Sequence, residues 1–208
     1  MEFRNKTILV LAPHTDDGEL GCGATIHRAI REGAHVKYVA FSTAEESVPE
    51  GFEKNQLEKE LKRATSVLGI PQKDLIVFRY AVRKLNYVRQ EILEELIRLR
   101  EEILPDMVFM PVLHDIHQDH STVAAEGLRA FKHVTILGSE LIWNNLQFST
   151  DCFVSVEQVD LDKKCEALAC YETQKGRSYM EPSFISSLAK VRGVQAGIDL
   201  AETFEVIR

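Results

Sequence analysis

Short apolar runs alternate with longer amphipathic stretches through the first two thirds of this 208-residue chain. The run Thr7–Ala12 (TILVLA) is continuously apolar, which is typical of a strand buried on both faces. The segment Leu20–Arg31 then carries apolar residues at helical spacing, and Gly33 follows as a C-terminal stop. Strands that alternate with helices predict βαβ units with right-handed crossovers. The sequence therefore predicts a doubly wound α/β fold, with a mostly parallel sheet and helices on both faces.

The same alternation continues to about residue 137 and then weakens. Further strands are predicted at Val36–Phe41, Leu75–Phe78, Met107–Val112 and Val134–Leu137, and further helices at Phe52–Leu68, Tyr87–Ile103 and Ser121–Lys132. Beyond Trp143 the pattern predicts a strand at Phe153–Val156, a helix at Leu161–Tyr171 and a final strand at Phe204–Ile207. Because we find no repeat or linker, we interpret residues 1–208 as one domain.

Charge and composition exclude several classes of partner. The chain has 32 Asp and Glu against 25 Lys and Arg, a formal charge of −7, which argues against a nucleic-acid or anionic-membrane partner. No apolar run approaches the roughly 20 residues of a membrane span, and the polar N-terminus does not resemble a signal peptide. The four cysteines form no CxxC pair and are interpreted as free thiols. These features predict a cytoplasmic protein; a homo-oligomer is compatible with them.

The first polar cluster, His14-Thr15-Asp16-Asp17, directly follows the first predicted strand. It therefore falls at the carboxyl end of a parallel strand, where open α/β sheets bind ligands. A metal bound by the imidazole and one Asp would leave the second Asp free to act on water. The alternative is a solvated turn in which an Asp caps the following helix.

Three glycines after this cluster suggest a second alternative, a dinucleotide-binding turn. The order of Gly18, Gly21 and Gly23 is G-x-x-G-x-G, whereas that turn requires G-x-G-x-x-G. The second predicted strand also ends without an acidic residue for a ribose. We therefore interpret the glycines as letting the backbone bend close to a metal and open the helix.

A second polar cluster follows the fourth predicted strand and contains His114, Asp115, His117, Asp119 and His120. In the strand order 3-2-1-4-5, the first and fourth strands are neighbours and flank the crevice where the connections reverse direction. The two clusters would then face one another. His117 and His120 are three residues apart, so a helical turn would place them on one side. They need not both bind metal: one could be a ligand and the other a proton donor.

The two clusters resemble the motifs of a known family. Pro13–Gly23 (PHTDDGELGCG) resembles the P-H-P-D-D-x-E-x-G-C-G signature of the LmbE-like, or PIG-L, deacetylases, and His117–His120 (HQDH) resembles their H-P-D-H motif. The end of the chain, Ala201–Arg208, resembles the usual terminus of the family, and the similarity extends in outline over the whole chain. Thr15 and Gln118 replace the usual prolines. Residues 79–87 lack the Asp-Gly that often follows the third strand.

This resemblance implies a Rossmann-like fold and a zinc-dependent N-deacetylase that acts on an N-acetylglucosaminyl group. By position it makes His14, Asp17 and His120 the ligands of one Zn²⁺ per chain. It makes Asp16 the general base and His117 the group that steadies the transition state, with Asp119 orienting a histidine.

The residue types are suited to these roles. Three protein ligands leave open positions for water and a carbonyl oxygen, as a catalytic zinc requires. Asp16 can accept the proton of the water, and a protonated His117 can stabilise the oxyanion or protonate the leaving amine. If Asp119 pairs with His117, the pKa of His117 should lie above its ordinary value, and the pH–rate profile should be bell-shaped.

Candidates for substrate contacts are less specific. Arg63, Arg79, Arg83 and Lys84 could meet a phosphate or carboxylate, although a residue of this kind is more often a solvated surface charge. Trp143 and Asn144 could supply a sugar-stacking ring and amide hydrogen bonds, or lie in the core and a turn. The segment Lys175–Tyr179 could close over a substrate or serve as an ordinary connection.

The sequence is also compatible with two other functions. The set of two histidines and one carboxylate also suits a non-haem Fe(II) oxygenase. A sugar-binding protein that has lost catalysis is a non-enzymatic alternative. The predicted α/β alternation and the spare Asp16 favour hydrolysis of an acetylated amino sugar or its conjugate.

Overall fold

The computed structural model describes residues 1–208, which form a seven-stranded sheet in the order β3-β2-β1-β4-β5-β7-β6. The strands are β1 (Thr7–Ala12), β2 (His35–Ala40), β3 (Leu75–Val77), β4 (Met107–Pro111), β5 (Thr135–Ser139), β6 (Cys152–Ser155) and β7 (Ala201–Val206). Strands β1 to β5 are parallel, and β7 runs antiparallel to β5 and β6. The predicted α/β fold with a mostly parallel sheet is confirmed, and so is the order 3-2-1-4-5.

Six helices cover the two faces of the sheet. They are α1 (Asp17–Arg31), α2 (Gln56–Val67), α3 (Arg89–Ile103), α4 (Gln118–Ala130), α5 (Gln158–Ala169) and α6 (Pro182–Ala196). Residues Ile8, Val10 and Ala12 of β1 pack with α1, α2 and α5, whereas Leu9 and Leu11 pack with α3 and α4. Alternate side chains of a strand point to opposite faces, so a strand covered on both sides reads as an unbroken apolar run. None of the helices combines the length and the apolar character that a membrane span requires.

Helices α1 and α4 each begin three residues earlier than the sequence predicts. Their first turns, residues 17–19 and 118–120, contain no apolar side chain, so apolar periodicity cannot detect them. Asp16 and His117 are the N-cap residues of the two helices. The candidate site residues after β1 and β4 therefore lie on helix N-termini, where the partial positive charge of the helix favours carboxylates.

Helix α6 was not predicted, because its apolar residues do not follow one helical stripe. Ile185, Ala189 and Gly193 face the protein, whereas Val191 and Val194 are exposed. The helix packs mainly against β7. A Cβ on Gly193 would lie 2.4 Å from the carbonyl oxygen of Asp199, so the turn that follows α6 approaches the helix closely at this glycine.

Two glycines of α1 lie close to side chains of the sheet. A Cβ on Gly18 would lie 2.4 Å from Cε2 of Tyr38, and one on Gly21 would lie 2.7 Å from Cβ of Ser139. Neither glycine has a positive φ. These contacts give the two glycines a packing role. They let α1 pack closely against β2 and β5.

A kink at Cys22, where φ is −149°, divides α1 into two segments. Two buried side chains replace the helical hydrogen bonds lost there. Lys164 Nζ donates to the carbonyl oxygen of Leu20 at 2.6 Å, and Glu202 Oε2 accepts from the N–H of Thr25 at 2.7 Å. Lys164 and Glu202 also pair with each other at 2.6 Å. The kink is thus stabilised by α5 and β7, far along the chain.

Candidate metal centre

The two polar clusters meet at the carboxyl ends of adjacent strands. Strands β1 and β4 pair in parallel, with Ile8 opposite Met107 and Val10 opposite Phe109. His14 and Asp17 follow β1, and His120 lies in the first turn of the helix that follows β4. The expected convergence of these clusters is therefore present in the fold.

Three donor atoms converge at this point. His14 Nδ1 lies 3.3 Å from Asp17 Oδ2, His120 Nε2 lies 3.2 Å from the same oxygen, and the two ring nitrogens are 3.2 Å apart. Tetrahedral zinc with bonds of about 2.0–2.1 Å to nitrogen and oxygen sets its ligand atoms roughly 3.3–3.4 Å apart. The spacing of the three atoms fits a single metal ion of this kind. His14, His117 and His120 form a second, wider group, in which the possible ligand atoms lie within 4.8 Å of one another.

Two buried carboxylates orient the histidines. Asp119 Oδ2 lies 2.9 Å from His14 Nε2, and Asp115 Oδ2 lies 2.9 Å from His120 Nδ1. When each of these ring nitrogens carries a proton, the lone pair of the other nitrogen faces the convergence point. This carboxylate–histidine arrangement is common around protein-bound metals, where it fixes the tautomer and raises the basicity of the ligand.

Charge balance at the convergence point also suits a cation. Burial lowers the pKa of His14 and His120, but hydrogen bonds and charge interactions with the surrounding carboxylates outweigh burial and raise the values to about 9 and about 10. Burial raises the pKa of Asp17, but the two histidines outweigh it and hold the pKa well below its ordinary value. The carboxylates thus favour positive charge on or between the two imidazoles.

Asp16 lies beside this group but forms no ion pair within 4 Å. Burial, followed by the charge of Asp17, raises its pKa to about 6. The two adjacent carboxylates occupy different backbone positions, because Asp16 is the N-cap residue and Asp17 is the first residue of α1. A carboxylate with this pKa is mostly ionised at neutral pH and retains a useful affinity for a proton.

His117 differs from the other two histidines of the site. Its Nδ1 accepts a hydrogen bond from the N–H of Asp119 at 3.2 Å, so the neutral ring carries its proton on Nε2. Burial lowers its pKa, and the charges of His120 and His14 lower it further. The expectation that Asp119 pairs with His117 and raises its pKa is wrong, because the Asp119 carboxylate contacts His14.

A cavity opens beside these residues. Its lining includes some of the polar side chains of the site together with residues from α2 and from the segments after β2, β3 and α5. These are His14, Thr15, Asp16, Ala44, Ser47, Leu57, Val82, Arg83, His117, Gln174 and Arg177. Thr15 and Gln174 are buried, whereas Arg83 and Arg177 are exposed.

Of the residues proposed from the sequence as substrate contacts, Arg83 lines this cavity, whereas four others, Arg63, Arg79, Trp143 and Asn144, lie outside its lining. Arg63 donates to the carbonyl oxygen of Cys170 at 3.2 Å, and Arg79 pairs with Glu58 at 2.7 Å. The ring of Trp143 stacks on another ring of the protein, that of Tyr179, with centroids 4.0 Å apart.

Asn144, the fourth of these residues, lies behind the candidate metal centre. Its Nδ2 is 3.5 Å from Asp115 Oδ2 and 3.5 Å from His120 Nδ1. The side chain therefore borders the carboxylate that orients His120. The sequence alone indicates no specific role for Asp115, although its position in a His- and Asp-rich segment marks it as a candidate site residue.

The segment after β3 reaches the site through backbone groups. The N–H groups of Arg83 and Leu85 donate to Asp119 at 2.6 and 3.1 Å. Arg83 has a φ of +65°, which costs a non-glycine residue roughly 1–2 kcal/mol. No sequence pattern indicated this conformation, because it depends on a carboxylate 36 residues further along the chain.

Fold and site together define an α/β protein with a candidate metal centre at the switch point of its sheet. A family model described as PIG-L, GlcNAc-PI de-N-acetylase, matches residues 9–131, more than half of the chain. The chain therefore belongs to the PIG-L family, also called LmbE-like, as its motifs predicted.

Individual relatives agree with this membership. The chain is 28% identical over 171 residues to the uncharacterized deacetylase YaiS of Escherichia coli (strain K12), covering 79% of this chain and 90% of the relative. It is 27% identical over 134 residues to the diacetylchitobiose deacetylase of Thermococcus kodakarensis, covering 60% of this chain and 49% of that protein. The N,N'-diacetylchitobiose deacetylase structure from Pyrococcus horikoshii shares the fold, with a TM-score of 0.80 at 20% identity, over 97% of this chain and 84% of that one.

Proposed function

We propose that this protein is a metal-dependent amide hydrolase that removes acetyl from an N-acetylglucosamine-type amino sugar or its conjugate, and that its metal is zinc. The observation that carries this proposal is the triangle formed by His14 Nδ1, Asp17 Oδ2 and His120 Nε2, with sides of 3.2–3.3 Å. Family membership and the deacetylase names of its relatives support the reaction class.

The three donor atoms of the triangle are the proposed ligands. Asp119 and Asp115 hold the two rings so that the required nitrogens face the ion. When bound, a zinc ion supplies Lewis acidity, which polarises the amide carbonyl and acidifies water. Asp16 remains outside the triangle and is available for proton transfer.

We assign the proton transfers to Asp16. As a carboxylate it accepts a proton from the water that attacks the acetyl carbonyl carbon. When the C–N bond breaks, the same proton passes to the nitrogen of the sugar, so the products are acetate and the free amine. A pKa of about 6 suits a group that must both accept and return a proton near neutral pH.

We assign oxyanion stabilisation to His117. Because Nδ1 accepts from the N–H of Asp119, Nε2–H is the donor available to the carbonyl oxygen as negative charge develops on it. The lowered pKa of His117 keeps the ring neutral near pH 7, so the ring acts as a hydrogen-bond donor and not as a cationic acid. This role differs from the protonated His117 expected from the sequence.

The decisive experiment combines metal analysis with acetate release. Purified protein is loaded with Zn²⁺, and acetate is measured with free, nucleotide-linked, lipid-linked and thiol-linked N-acetylglucosamine. We expect one zinc per chain and release from at least one substrate. Oxygen consumption with Fe(II) would favour an oxygenase, and sugar binding without acetate release would favour a non-catalytic protein. Either result would overturn the proposal.

A further inference from the structure

Two arginines of the cavity lack a carboxylate partner. Eight of the 13 arginines of the chain form ion pairs with Asp or Glu. The five that do not are Arg4, Arg63, Arg83, Arg177 and Arg208. Arg83 and Arg177 line the cavity that contains Asp16 and His117. In an acidic protein, where most guanidinium groups are neutralised, two unpaired ones in one cavity point to an anionic ligand.

Arg177 lies on a segment that is anchored at both ends. On one side, Tyr171 donates to the carbonyl oxygen of Thr15 at 2.6 Å, and Thr173 donates to Glu60 at 2.6 Å. On the other side, the ring of Tyr179 stacks on Trp143. These contacts fix the short span between them relative to β1, α2 and the segment after β5.

The guanidinium of Arg177 is itself oriented and still has free donors. Its Nη1 donates to the hydroxyl oxygen of Tyr179, and its Nε and Nη2 have no acceptor in the protein. Gly176, with a φ of +93°, provides the turn that precedes it. Arg177 lines the same cavity as Asp16 and His117.

Arg83, the other arginine of the cavity, is held by its backbone. Its N–H donates to Asp119, the carboxylate that also contacts His14. The preceding Val82 is buried and lines the cavity. The side chain of Arg83 has no hydrogen-bond acceptor in the protein, so all five of its N–H donors are available to a ligand. The backbone of Arg83 is thus tied to the candidate metal centre while its side chain remains free.

We propose that Arg83 and Arg177 form an anion subsite, and that the substrate is an N-acetylated amino sugar that carries a phosphate or a carboxylate. The proposal rests on the function proposed above. Planar guanidinium groups recognise the oxygens of both anions through paired hydrogen bonds. The neutral lining side chains, Ser47, Gln174 and Leu57, suit the uncharged part of the sugar. The anion would bind away from Asp16, whose charge repels it.

The test compares charged and neutral substrates with matched arginine variants. Values of kcat/KM are measured for N-acetylglucosamine, its 1-phosphate, its 6-phosphate and N-acetylmuramic acid, which carries a carboxylate. The proteins are wild type, Arg83→Gln, Arg177→Gln and the control Arg4→Gln, which removes an unpaired arginine outside the cavity. Binding of each sugar is measured in parallel by calorimetry, which does not depend on turnover.

We expect wild type to prefer at least one anionic sugar by tenfold or more. Each cavity variant should lower kcat/KM and affinity for that sugar by about ten- to a hundredfold, and should lower those for N-acetylglucosamine by a much smaller factor. The values for the two sugar phosphates and for N-acetylmuramic acid identify which anion is bound. Arg4→Gln should behave as wild type.

Failure of this inference is distinguishable from failure of the proposed function. Efficient acetate release from N-acetylglucosamine, with no anion preference and no effect of either cavity variant, would overturn the subsite and leave the deacetylase intact. If no sugar releases acetate, calorimetry still decides: anion binding that depends on Arg83 and Arg177 supports the subsite, and its absence overturns it.

Discussion

The carboxylate of Asp119 lies 2.9 Å from Nε2 of His14, although Asp119 is adjacent in sequence to His120 and two residues from His117. Asp119 is completely buried, and it also accepts hydrogen bonds from the backbone of Arg83 and Leu85. One carboxylate therefore connects the segment after β1, the start of α4 and the segment after β3. Its position indicates that it orients a proposed metal ligand.

Replacing Asp119 should weaken metal binding without removing any ligand. In Asp119→Asn the side chain can no longer orient His14 as a charged acceptor, and loss of such a partner typically costs about 10–100-fold in metal affinity. Zinc affinity measured by competition with a chelator checks this expectation. Asp162→Asn, an exposed change on α5, serves as the control. Equal zinc affinity in Asp119→Asn and wild type would contradict the positioning role.

Removing a proposed ligand should have a different effect from removing His117. His14→Ala and His120→Ala should lose metal and activity together. His117→Ala should keep metal while its kcat falls by about 10²–10³, because the donor to the developing oxyanion is lost. Metal content by elemental analysis and kcat for the same samples separate the two cases. Full metal occupancy in His14→Ala would exclude His14 as a ligand.

The dependence of the rate on pH should follow Asp16. Its pKa is raised to about 6, so the carboxylate form required of a base predominates above that pH and is lost as pH falls through it. We therefore expect kcat/KM to decline below about pH 6. Metal content is measured at each pH, so that loss of metal is not mistaken for protonation.

His117 should contribute no alkaline limb to that profile. Because burial and the neighbouring imidazoles lower its pKa, the ring is already neutral near pH 7 and does not change its charge at higher pH. The rate of wild type should thus stay level from neutral pH to about pH 8. An alkaline limb in wild type that disappears in His117→Ala would show that a protonated His117 acts as the acid.

Asp160 should stabilise the fold in a pH-dependent manner. Burial raises its pKa, but Arg31, the N–H of Glu157 and His27 outweigh burial and lower the pKa below its ordinary value. A lowered folded-state pKa means that the stabilisation is present above the unfolded value of about 3.9 and is lost as pH falls through the lower folded value. The relevant window therefore lies below about pH 4.

Asp160→Asn should lower the free energy of unfolding by about 1–3 kcal/mol at pH 7, because charged hydrogen-bond partners are left without their carboxylate. Near pH 2 the difference from wild type should shrink, since the wild-type carboxylate is then becoming protonated. Urea unfolding at both pH values tests this, with Asp162→Asn on the same helix as the control. An equal difference at the two pH values would show that the effect does not arise from the charge.

The buried pair at the kink of α1 should be needed for folding stability. Lys164→Met leaves Glu202 buried without its cation and the carbonyl oxygen of Leu20 without its donor. Breaking such a pair costs about 3–5 kcal/mol. Thermal unfolding should show a clear loss of stability. If the melting temperature were unchanged, Glu202 would not depend on Lys164 for its charge balance.

Much of this protein could be derived from the sequence, because the relevant signals are local. A continuous apolar run such as Thr7–Ala12 predicts a strand covered on both faces, and the alternation of strands and helices predicts a parallel sheet, for which 3-2-1-4-5 is a common strand order. Polar clusters after β1 and β4 then predict a shared site, since the carboxyl ends of neighbouring parallel strands meet. The family resemblance of the motifs is confirmed by the match over residues 9–131.

Tertiary structure decided which side chains contact each other within that site. Sequence proximity suggested that Asp119 pairs with His117, yet the fold directs its carboxylate to His14, 105 residues away. The same applies to the pairing of Asp115 with His120 and to the left-handed backbone of Arg83. The sequence determined where polar groups gather, because strand and helix periodicity is local. The fold alone determined their partners, because a side chain contacts whichever group the packing of distant segments brings within about 3 Å of it.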